Sequence, residues 1–264
     1  MNKITKMNKI TKAFENKKAF IAFITGGDPD IETTEKLILA MAESGVDIIE
    51  IGIPFSDPVA EGIVIQEADE RALANGCTVD KLFEMAKRVR EKTEIPLLFM
   101  TYINPIYVYG KARFLKACAD CGIDGVIVPD LPFEERDELS NDCAGHGITQ
   151  ISMIAPTSRD RIKQIAKNAE GFLYCVSSLG VTGVRGEINT DVAAMIGQVK
   201  EVSSVPCAIG FGISTPEQAR DMASISDGVI IGSAIVRLVA EYGRESIGPV
   251  RQYVRKIKDA IKNS

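Results

Sequence analysis

The sequence contains a single histidine, His146, among its 264 residues. This scarcity restricts nucleophilic catalysis, because Ser-His-Asp and Cys-His arrangements would both have to use that one residue. His146 lies between two glycines, a context typical of a turn at the surface. Carboxylates and tyrosines are therefore the better candidates for acid–base chemistry in this chain.

Cysteine and histidine residues at the spacing of metal ligands are also scarce. Of the six cysteines, Cys118 and Cys121 form a CxxC pair, but no second pair exists and histidine ligands are lacking. The cysteines mostly occupy apolar positions of predicted helices and strands, as reduced cysteines do in cytoplasmic proteins. We therefore predict no metal site.

Long apolar runs and an excess of positive charge are lacking as well. No segment approaches the roughly twenty apolar residues that span a bilayer, and no secretory signal pattern is present. The net charge of −5 argues against a nucleic-acid surface. These features predict a cytoplasmic protein that binds neither membrane nor nucleic acid.

The hexapeptide Met-Asn-Lys-Ile-Thr-Lys occurs twice within residues 1–12. We interpret residues 1–6 as a duplication without a functional role, and either Met1 or Met7 could be the start. No linker-like stretch rich in proline, serine or glycine follows. Residues 7–264 are therefore predicted to form one domain.

Short β-branched runs alternate with helical patterns along that domain, which predicts a parallel sheet built from repeated βα units. The predicted strands lie near 19–25, 47–53, 96–101, 124–128, 149–153, 172–176, 206–210 and 227–231. The predicted helices include 33–43, 79–92, 112–121, 134–144 and 190–202, and an amphipathic helix over the basic C-terminal stretch. Eight such units in about 250 residues favour a (β/α)8 TIM barrel, an α/β fold. No GxGxxG or P-loop supports an open sheet instead.

Glu50 stands within an isoleucine-rich run that reads as the second strand. Alternation places Ile48, Glu50 and Gly52 on one face, and Ile49 and Ile51 on the face that packs under helices. A carboxylic acid in apolar surroundings has a raised pKa and can donate a proton near neutral pH. Because barrel active sites lie at the carboxyl ends of the strands, Glu50 is a candidate catalytic residue.

Glycines and a serine follow the last two strands. Gly210 and Gly212 follow the seventh, and Gly232 and Ser233 follow the eighth, where many barrels bind phosphate. Glycine lets the backbone approach an anion closely, and a helix N-terminus adds N–H donors, with Ser233 expected as the N-cap. These glycines are equally compatible with tight turns alone, but the two pairs together predict a phosphate site.

Together these segments resemble the alpha chain of tryptophan synthase, over essentially the whole chain after Met7. The resemblance is carried by four segments: Glu50-Ile-Gly-Ile-Pro-Phe-Ser-Asp-Pro-Val-Ala-Glu61-Gly62, Tyr174 through Gly-Val-Thr-Gly183, Gly-Phe-Gly-Ile-Ser214 and Gly-Ser-Ala-Ile235. The resemblance implies retro-aldol cleavage of indole-3-glycerol phosphate to indole and glyceraldehyde 3-phosphate, with no cofactor in this chain. It also implies an αββα complex with a beta chain that carries pyridoxal phosphate.

The resemblance further implies roles for individual residues. Glu50 would be the general acid–base, Glu61 would accept the indole N–H, and Tyr174 would lie near the glycerol chain. Thr182 falls in a mobile loop after the sixth strand, and Gly183 in the same loop joins Gly212, Gly232 and Ser233 as phosphate-binding residues. Four further residues are placed to line an indole pocket, although they would also suit a core: Phe23, Tyr102, Ile127 and Phe211.

Three residues depart from the family pattern. Glu61 stands where aspartate is usual, Ile63 where proline is usual, and Ser178 where arginine is common. Two alternatives therefore stay open at this point. The chain could be a pseudo-enzyme that only binds and activates a beta chain, or another phosphate-binding barrel such as a sugar-phosphate isomerase.

Overall fold

Eight parallel strands close into a barrel, each hydrogen-bonded to its neighbours in chain order. The structure, a computed structural model, describes residues 8–177, 185–210, 212–262 and 264. The strands are β1 (Ala19–Thr25), β2 (Ile48–Gly52), β3 (Leu97–Met100), β4 (Gly125–Ile127), β5 (Thr149–Ile154), β6 (Leu173–Val176), β7 (Cys207–Gly210) and β8 (Gly228–Ile231). Because β8 pairs with β1, the sheet has no free edge. The predicted single-domain (β/α)8 barrel is confirmed.

Helices surround the barrel. Within the described residues they are α1 (Lys9–Lys12), α2 (Ile31–Glu43), α3 (Ile63–Ala74), α4 (Val79–Arg90), α5 (Ile103–Tyr109), α6 (Lys111–Cys121), α7 (Asp137–Gly145), α8 (Ile162–Asn168), α9 (Arg185–Lys200), α10 (Pro216–Ile225), α11 (Ser233–Tyr242) and α12 (Ile247–Lys262), with short 3-10 helices at Phe133–Glu135, Pro156–Arg161 and Gly243–Glu245.

The predicted helix bounds were wrong at two places. The helix expected from residue 134 begins only at Asp137, because Phe133–Glu135 forms a separate 3-10 turn after Pro132. The helix expected from residue 190 already begins at Arg185. Its first turns carry glycine, asparagine and threonine rather than an apolar repeat, so the periodicity there gave no indication of a helix.

Two apolar layers hold the strands in place. Inside the barrel lie Ile21, Ile48, Leu98, Ile127 and Ile230, among others. Between the barrel and the helices lies a larger layer that includes the isoleucines at 49, 51 and 53. The alternation predicted for the second strand is therefore confirmed, and the face shared by Ile48 and Glu50 points into the barrel.

The amino-terminal end of the barrel is closed by α1. Asn8 caps this helix by accepting a hydrogen bond from the backbone N–H of Thr11 (2.8 Å), and its side-chain amide donates to Thr149 Oγ1 at the start of β5 (3.0 Å). Ile10 is completely buried in the inner layer beside Phe172. With this end filled by apolar side chains, the carboxyl ends of the strands are left to form a site.

The C-terminal helix α12 is amphipathic, as predicted. Its buried residues are Val250, Val254, Ile257, Lys258 and Ile261. Within the part of the chain that the structure describes, none of the helices has the length and apolar character needed to traverse a bilayer.

Candidate active site

A cavity of about 450 Å3 opens at the carboxyl ends of the strands. Its walls come from the ends of five strands and from the segments that follow β2, β4, β7 and β8. The lining residues are Phe23, Ala60, Glu61, Gly62, Ile65, Met100, Pro129, Met153, Tyr174, Val176, Gly212, Ile213, Ser214, Ile230, Gly232, Ser233, Ala234 and Arg237. Most of this surface is apolar, and its charged side chains, among the described residues, are Glu61 on the segment after β2 and Arg237 on α11.

Glu50 is completely buried in the middle of β2, between Phe23 of β1 and Leu98 of β3. Neither of its carboxyl oxygens has a hydrogen-bond partner among the described residues. Burial raises the pKa of Glu50 to about 8. The side chain is therefore protonated at neutral pH, and its proton is not committed to a neighbouring protein group.

Tyr174 links Glu50 to the cavity. It projects from β6 into the barrel and lines the cavity wall, and Glu50 lies close enough to act on it electrostatically. Burial and this neighbouring acid raise the pKa of Tyr174 well above its usual range. The hydroxyl thus stays protonated and can donate a hydrogen bond in the same region as Glu50.

Two glycines of the strands make room for the aromatic rings at the cavity. A Cβ at Gly210 would lie 2.6 Å from the hydroxyl oxygen of Tyr174, and a Cβ at Gly52 would lie 2.6 Å from Cζ of Phe23. Any larger residue would displace these rings, because such contacts are far inside van der Waals distance. Gly210, expected in the phosphate site, is therefore explained by the packing of Tyr174.

Glu61 lies on the segment that joins β2 to α3 and is half-buried at the cavity edge. Its carboxylate accepts a hydrogen bond from the hydroxyl of Tyr102. Burial raises the pKa of Glu61, and the hydrogen bond from Tyr102 opposes this rise. The site thus holds two acids in different settings: Glu50 has no partner, and Glu61 has a fixed donor.

The described residues among those expected around an indole ring lie in different surroundings. Phe23 lines the cavity, and its ring lies near Ile65 and Val236. Tyr102 is buried and packs on Phe55, with ring centroids 5.4 Å apart, and its hydroxyl faces the Glu61 segment. Ile127 belongs to the inner barrel layer and is not among the described residues that line the cavity. Phe211 lies outside the described residues.

The expected phosphate residues within the described part of the chain lie on the segments after β7 and β8. Gly212, which has a positive φ of 75°, Gly232 and Ser233 all line the cavity. One expectation was wrong, because Gly232 occupies the N-cap position and Ser233 is the first residue of α11. Ser233 and Ala234 occupy the first two positions of this helix, where backbone N–H groups are donors for an anion. Thr182, Gly183 and Ser178 lie outside the described residues.

Arg237 was not identified from the sequence. It lies one helical turn after Ser233 on α11, so the two residues share a face, and its exposed side chain lines the same cavity. Side chains of a helix lean toward its N-terminus, which directs this guanidinium back toward Ser233. The spacing of four residues after the glycine–serine pair was the signal that could have found it.

Met100, Met153 and Val176 also line the cavity without having been predicted. Each stands two residues after an inward-facing residue of its strand, namely Leu98, Ile151 and Tyr174. Extending the period-two alternation to the ends of these strands would have identified all three.

Comparisons with known proteins agree with this geometry. The family model described as "Tryptophan synthase alpha chain" matches residues 10–262. The tryptophan synthase alpha chain of Lacticaseibacillus casei is 48% identical over 255 residues, which are 97% of this chain and 96% of that protein. The chain belongs to the tryptophan synthase alpha chain family.

Solved structures of this family have the same fold. The crystal structure of tryptophan synthase subunit alpha from Legionella pneumophila is 37% identical, with a TM-score of 0.88 and coverage of 98% of this chain and 100% of that one. A chain of the tryptophan synthase complex from Pyrococcus furiosus is 34% identical, with a TM-score of 0.84 and coverage of 92% and 98%. The chain is therefore similar to alpha chains over its whole length, both alone and within a complex.

Ile63, one of the departures from the tryptophan synthase alpha chain pattern, stands at the start of a helix. Ile63, where proline is usual, is the first residue of α3 and is 66% exposed. This first helical position is the one that best accepts proline, since its N–H has no intrahelical partner. Isoleucine at this position leaves the helix start without that conformational restriction.

Proposed function

We propose that this chain cleaves indole-3-glycerol phosphate to indole and glyceraldehyde 3-phosphate, as the alpha subunit of a tryptophan synthase. The observation that carries the proposal is Glu50, a completely buried acid without a hydrogen-bond partner among the described residues, close to Tyr174 in the wall of a cavity that has a second acid at its edge. A buried polar group without a partner costs folding free energy, which favours a role in chemistry over a role in stability.

The cavity suits the two ends of this substrate. Phe23, Ile65, Met100, Met153 and Val176 offer apolar surface for an indole ring. Gly212 and the start of α11 offer backbone N–H groups to the phosphate, and Arg237 adds a positive charge. The glycerol carbons would then lie between them, near Tyr174.

The reaction requires one proton to move from a hydroxyl to a ring carbon. Glu50, protonated at neutral pH, donates its proton to C3 of the indole ring, which leaves a positive charge on the ring. The bond between C3 and the glycerol carbon breaks, and its electron pair returns to the ring. The hydroxyl on that glycerol carbon becomes the aldehyde oxygen and gives its proton to the Glu50 carboxylate, which restores the starting state.

Glu61 and Tyr174 support this transfer. The carboxylate of Glu61 accepts the indole N–H and stabilises the positive charge on the ring while it exists. Tyr174 is held protonated beside Glu50 and donates a hydrogen bond to an oxygen of the glycerol chain. Thr182 and Gly183, which lie outside the described residues, are proposed to close over the substrate and contact its phosphate.

We further propose that this chain uses no cofactor of its own and works in the cytoplasm, in an αββα complex with a tryptophan synthase beta chain. That beta chain carries pyridoxal phosphate and consumes the indole. The similarity to an alpha chain within the Pyrococcus furiosus tryptophan synthase complex supports the partner.

Indole release from indole-3-glycerol phosphate tests the proposal. We expect slow release by the isolated chain, a strong increase with a beta chain, and a loss of about 10²- to 10⁴-fold in Glu50→Gln, the usual contribution of general acid–base catalysis. Full turnover by Glu50→Gln would disprove the role of that residue. Absence of release even with a beta chain would favour a chain that only binds and activates its partner.

A further inference from the structure

The hydroxyl of Tyr102 makes three hydrogen bonds to consecutive residues of the segment that carries Glu61. It accepts from the backbone N–H of Val59 (3.0 Å) and of Ala60 (2.8 Å), and it donates to the Glu61 carboxylate. A phenol oxygen has room for two donors, and both are present. The hydroxyl proton is therefore committed to Glu61.

Tyr102 itself is firmly held. It is 3% exposed and stands at the N-cap position of α5, where the next N–H, that of Ile103, donates to Asp130 (3.0 Å). Its ring packs on Phe55. The tyrosine thus belongs to the rigid part of the barrel end.

The segment that it contacts is exposed. Val59 is 81% exposed, and residues 53–62 contain neither helix nor strand. The side-chain amide of Gln66 holds the backbone of Glu61 by donating to its carbonyl oxygen (2.8 Å), and the Tyr102 hydroxyl holds the carboxylate. The three hydrogen bonds to one hydroxyl oxygen attach this segment to the barrel at the residue that needs to be placed.

We propose that Tyr102 is a positioning residue that orients the Glu61 carboxylate toward the substrate, rather than a wall of the indole pocket. This inference rests on the proposed function, in which Glu61 accepts the indole N–H. A group held in place before the substrate binds needs no reorganisation when charge develops on the ring, which is the basis of electrostatic catalysis.

The hydrogen bond also affects ionisation. It opposes the effect of burial on Glu61 and so favours the carboxylate form that the reaction uses. Burial and the neighbouring Glu61 raise the pKa of Tyr102 to about 12, so the donor keeps its proton throughout the physiological range. Removing the hydroxyl should therefore raise the pKa of Glu61.

Tyr102→Phe tests this inference, because it removes the hydroxyl and keeps the ring. We expect kcat/KM for indole-3-glycerol phosphate, measured with the beta chain present, to fall about tenfold or more, the usual effect of losing a hydrogen bond to a charged group. The acidic limb of the pH profile should also move to higher pH. The matched control is Tyr109→Phe on the same helix, which removes a hydroxyl bonded to Asp80 outside the cavity and should leave both readouts unchanged.

The same substitution made in a Glu61→Gln variant distinguishes a positioning role of Tyr102 from a packing role. In Glu61→Gln, adding Tyr102→Phe should cause little further loss and no shift of the acidic limb, because the partner carboxylate is gone. Equal losses in the two backgrounds, or a Tyr102→Phe enzyme that matches the wild type, would overturn the inference while the proposed function stands. A wild-type chain that releases no indole with the beta chain would instead contradict the proposed function itself.

Discussion

Three aspartates at the amino-terminal end of the barrel each have a backbone hydrogen-bond donor and a paired cation. Glu50 has neither among the described residues. Asp47, Asp124 and Asp227 each accept a hydrogen bond from the backbone N–H at the beginning of the preceding strand. The donors are Phe20 (2.8 Å), Leu97 (2.9 Å) and Cys207 (2.8 Å). Each aspartate is also paired with a cation, namely Lys258, Arg90 and Lys200.

Glu50 lies in the same barrel but meets neither condition among the described residues. The difference separates two uses of a carboxyl group in the barrel. Where backbone donors and cations surround the carboxylate, it joins neighbouring strands and helices and stabilises the fold. Where it has no partner, burial keeps it protonated and reactive. The three aspartates lie at the amino-terminal end, where residues usually serve stability in this fold.

The largest expected effect on stability comes from the amino-terminal end. Asp47→Asn leaves Lys258 buried without its counter-charge, and breaking a buried pair in this way typically costs about 3–5 kcal/mol of unfolding free energy. Urea unfolding measures this loss, and indole release per folded molecule should not change. The control is Asp142→Asn, which breaks an exposed pair with Lys111 and should cost less than about 1 kcal/mol. Equal losses in the two variants would contradict a stabilising role specific to the buried pair of Asp47 and Lys258.

Glu50→Gln, in contrast, should raise the free energy of unfolding. The native state raises the pKa of this acid from 4.5 to about 8, so it binds more protons than the unfolded chain between those values. The wild type therefore loses stability as the pH rises through this window, by up to about 1.4 kcal/mol per pH unit, and the glutamine variant does not. We expect the variant to be more stable by an amount that grows from pH 5 to pH 8.

Urea unfolding of the wild type and of the Glu50→Gln variant at several pH values measures this difference in stability. Asp69, whose pKa burial raises to about 7, titrates in both chains and cancels in the comparison. A stability difference that does not depend on pH would show that Glu50 is ionised, or paired, in the folded protein.

Arg237 differs from the cations that pair with these three aspartates. Those at the amino-terminal end are paired with aspartates, whereas Arg237 forms no ion pair with another described residue and lines the cavity. We expect Arg237→Gln to raise KM for indole-3-glycerol phosphate about tenfold with little change in kcat, and to weaken inhibition by inorganic phosphate. Arg255→Gln, an exposed change on α12, is the control. An unchanged KM would remove Arg237 from the phosphate site.

The smallest expected effect concerns the start of α3. Ile63→Pro restricts the unfolded chain at a position that is already helical and needs no N–H, and the preceding Gly62 has the extended conformation that proline requires. We expect a gain of about 0.4–1 kcal/mol in unfolding free energy, measured by urea denaturation. A loss of stability would show that the exposed isoleucine makes contacts that the helix start needs.

Much of the fold could be predicted because strand alternation and glycine or proline punctuation act locally. The eight strands fall within two residues of their predicted bounds, and Glu50 faces inward as alternation requires. The roles of Gly210 and Tyr102 could not be predicted in this way. Both depend on contacts with residues far away in the chain, Tyr174 for one and Glu61 for the other, which no local pattern encodes.

The protonation of Glu50 is the central claim, and its pKa can be measured directly. Glutamate labelled with 13C at the carboxyl carbon, with Glu50→Gln to assign the resonance, gives the titration curve of this single group in the folded chain. We predict a midpoint near pH 8, about where burial places it. A midpoint near the ordinary value of 4.5 would contradict the account, because Glu50 would then be ionised at neutral pH and unable to donate the proton.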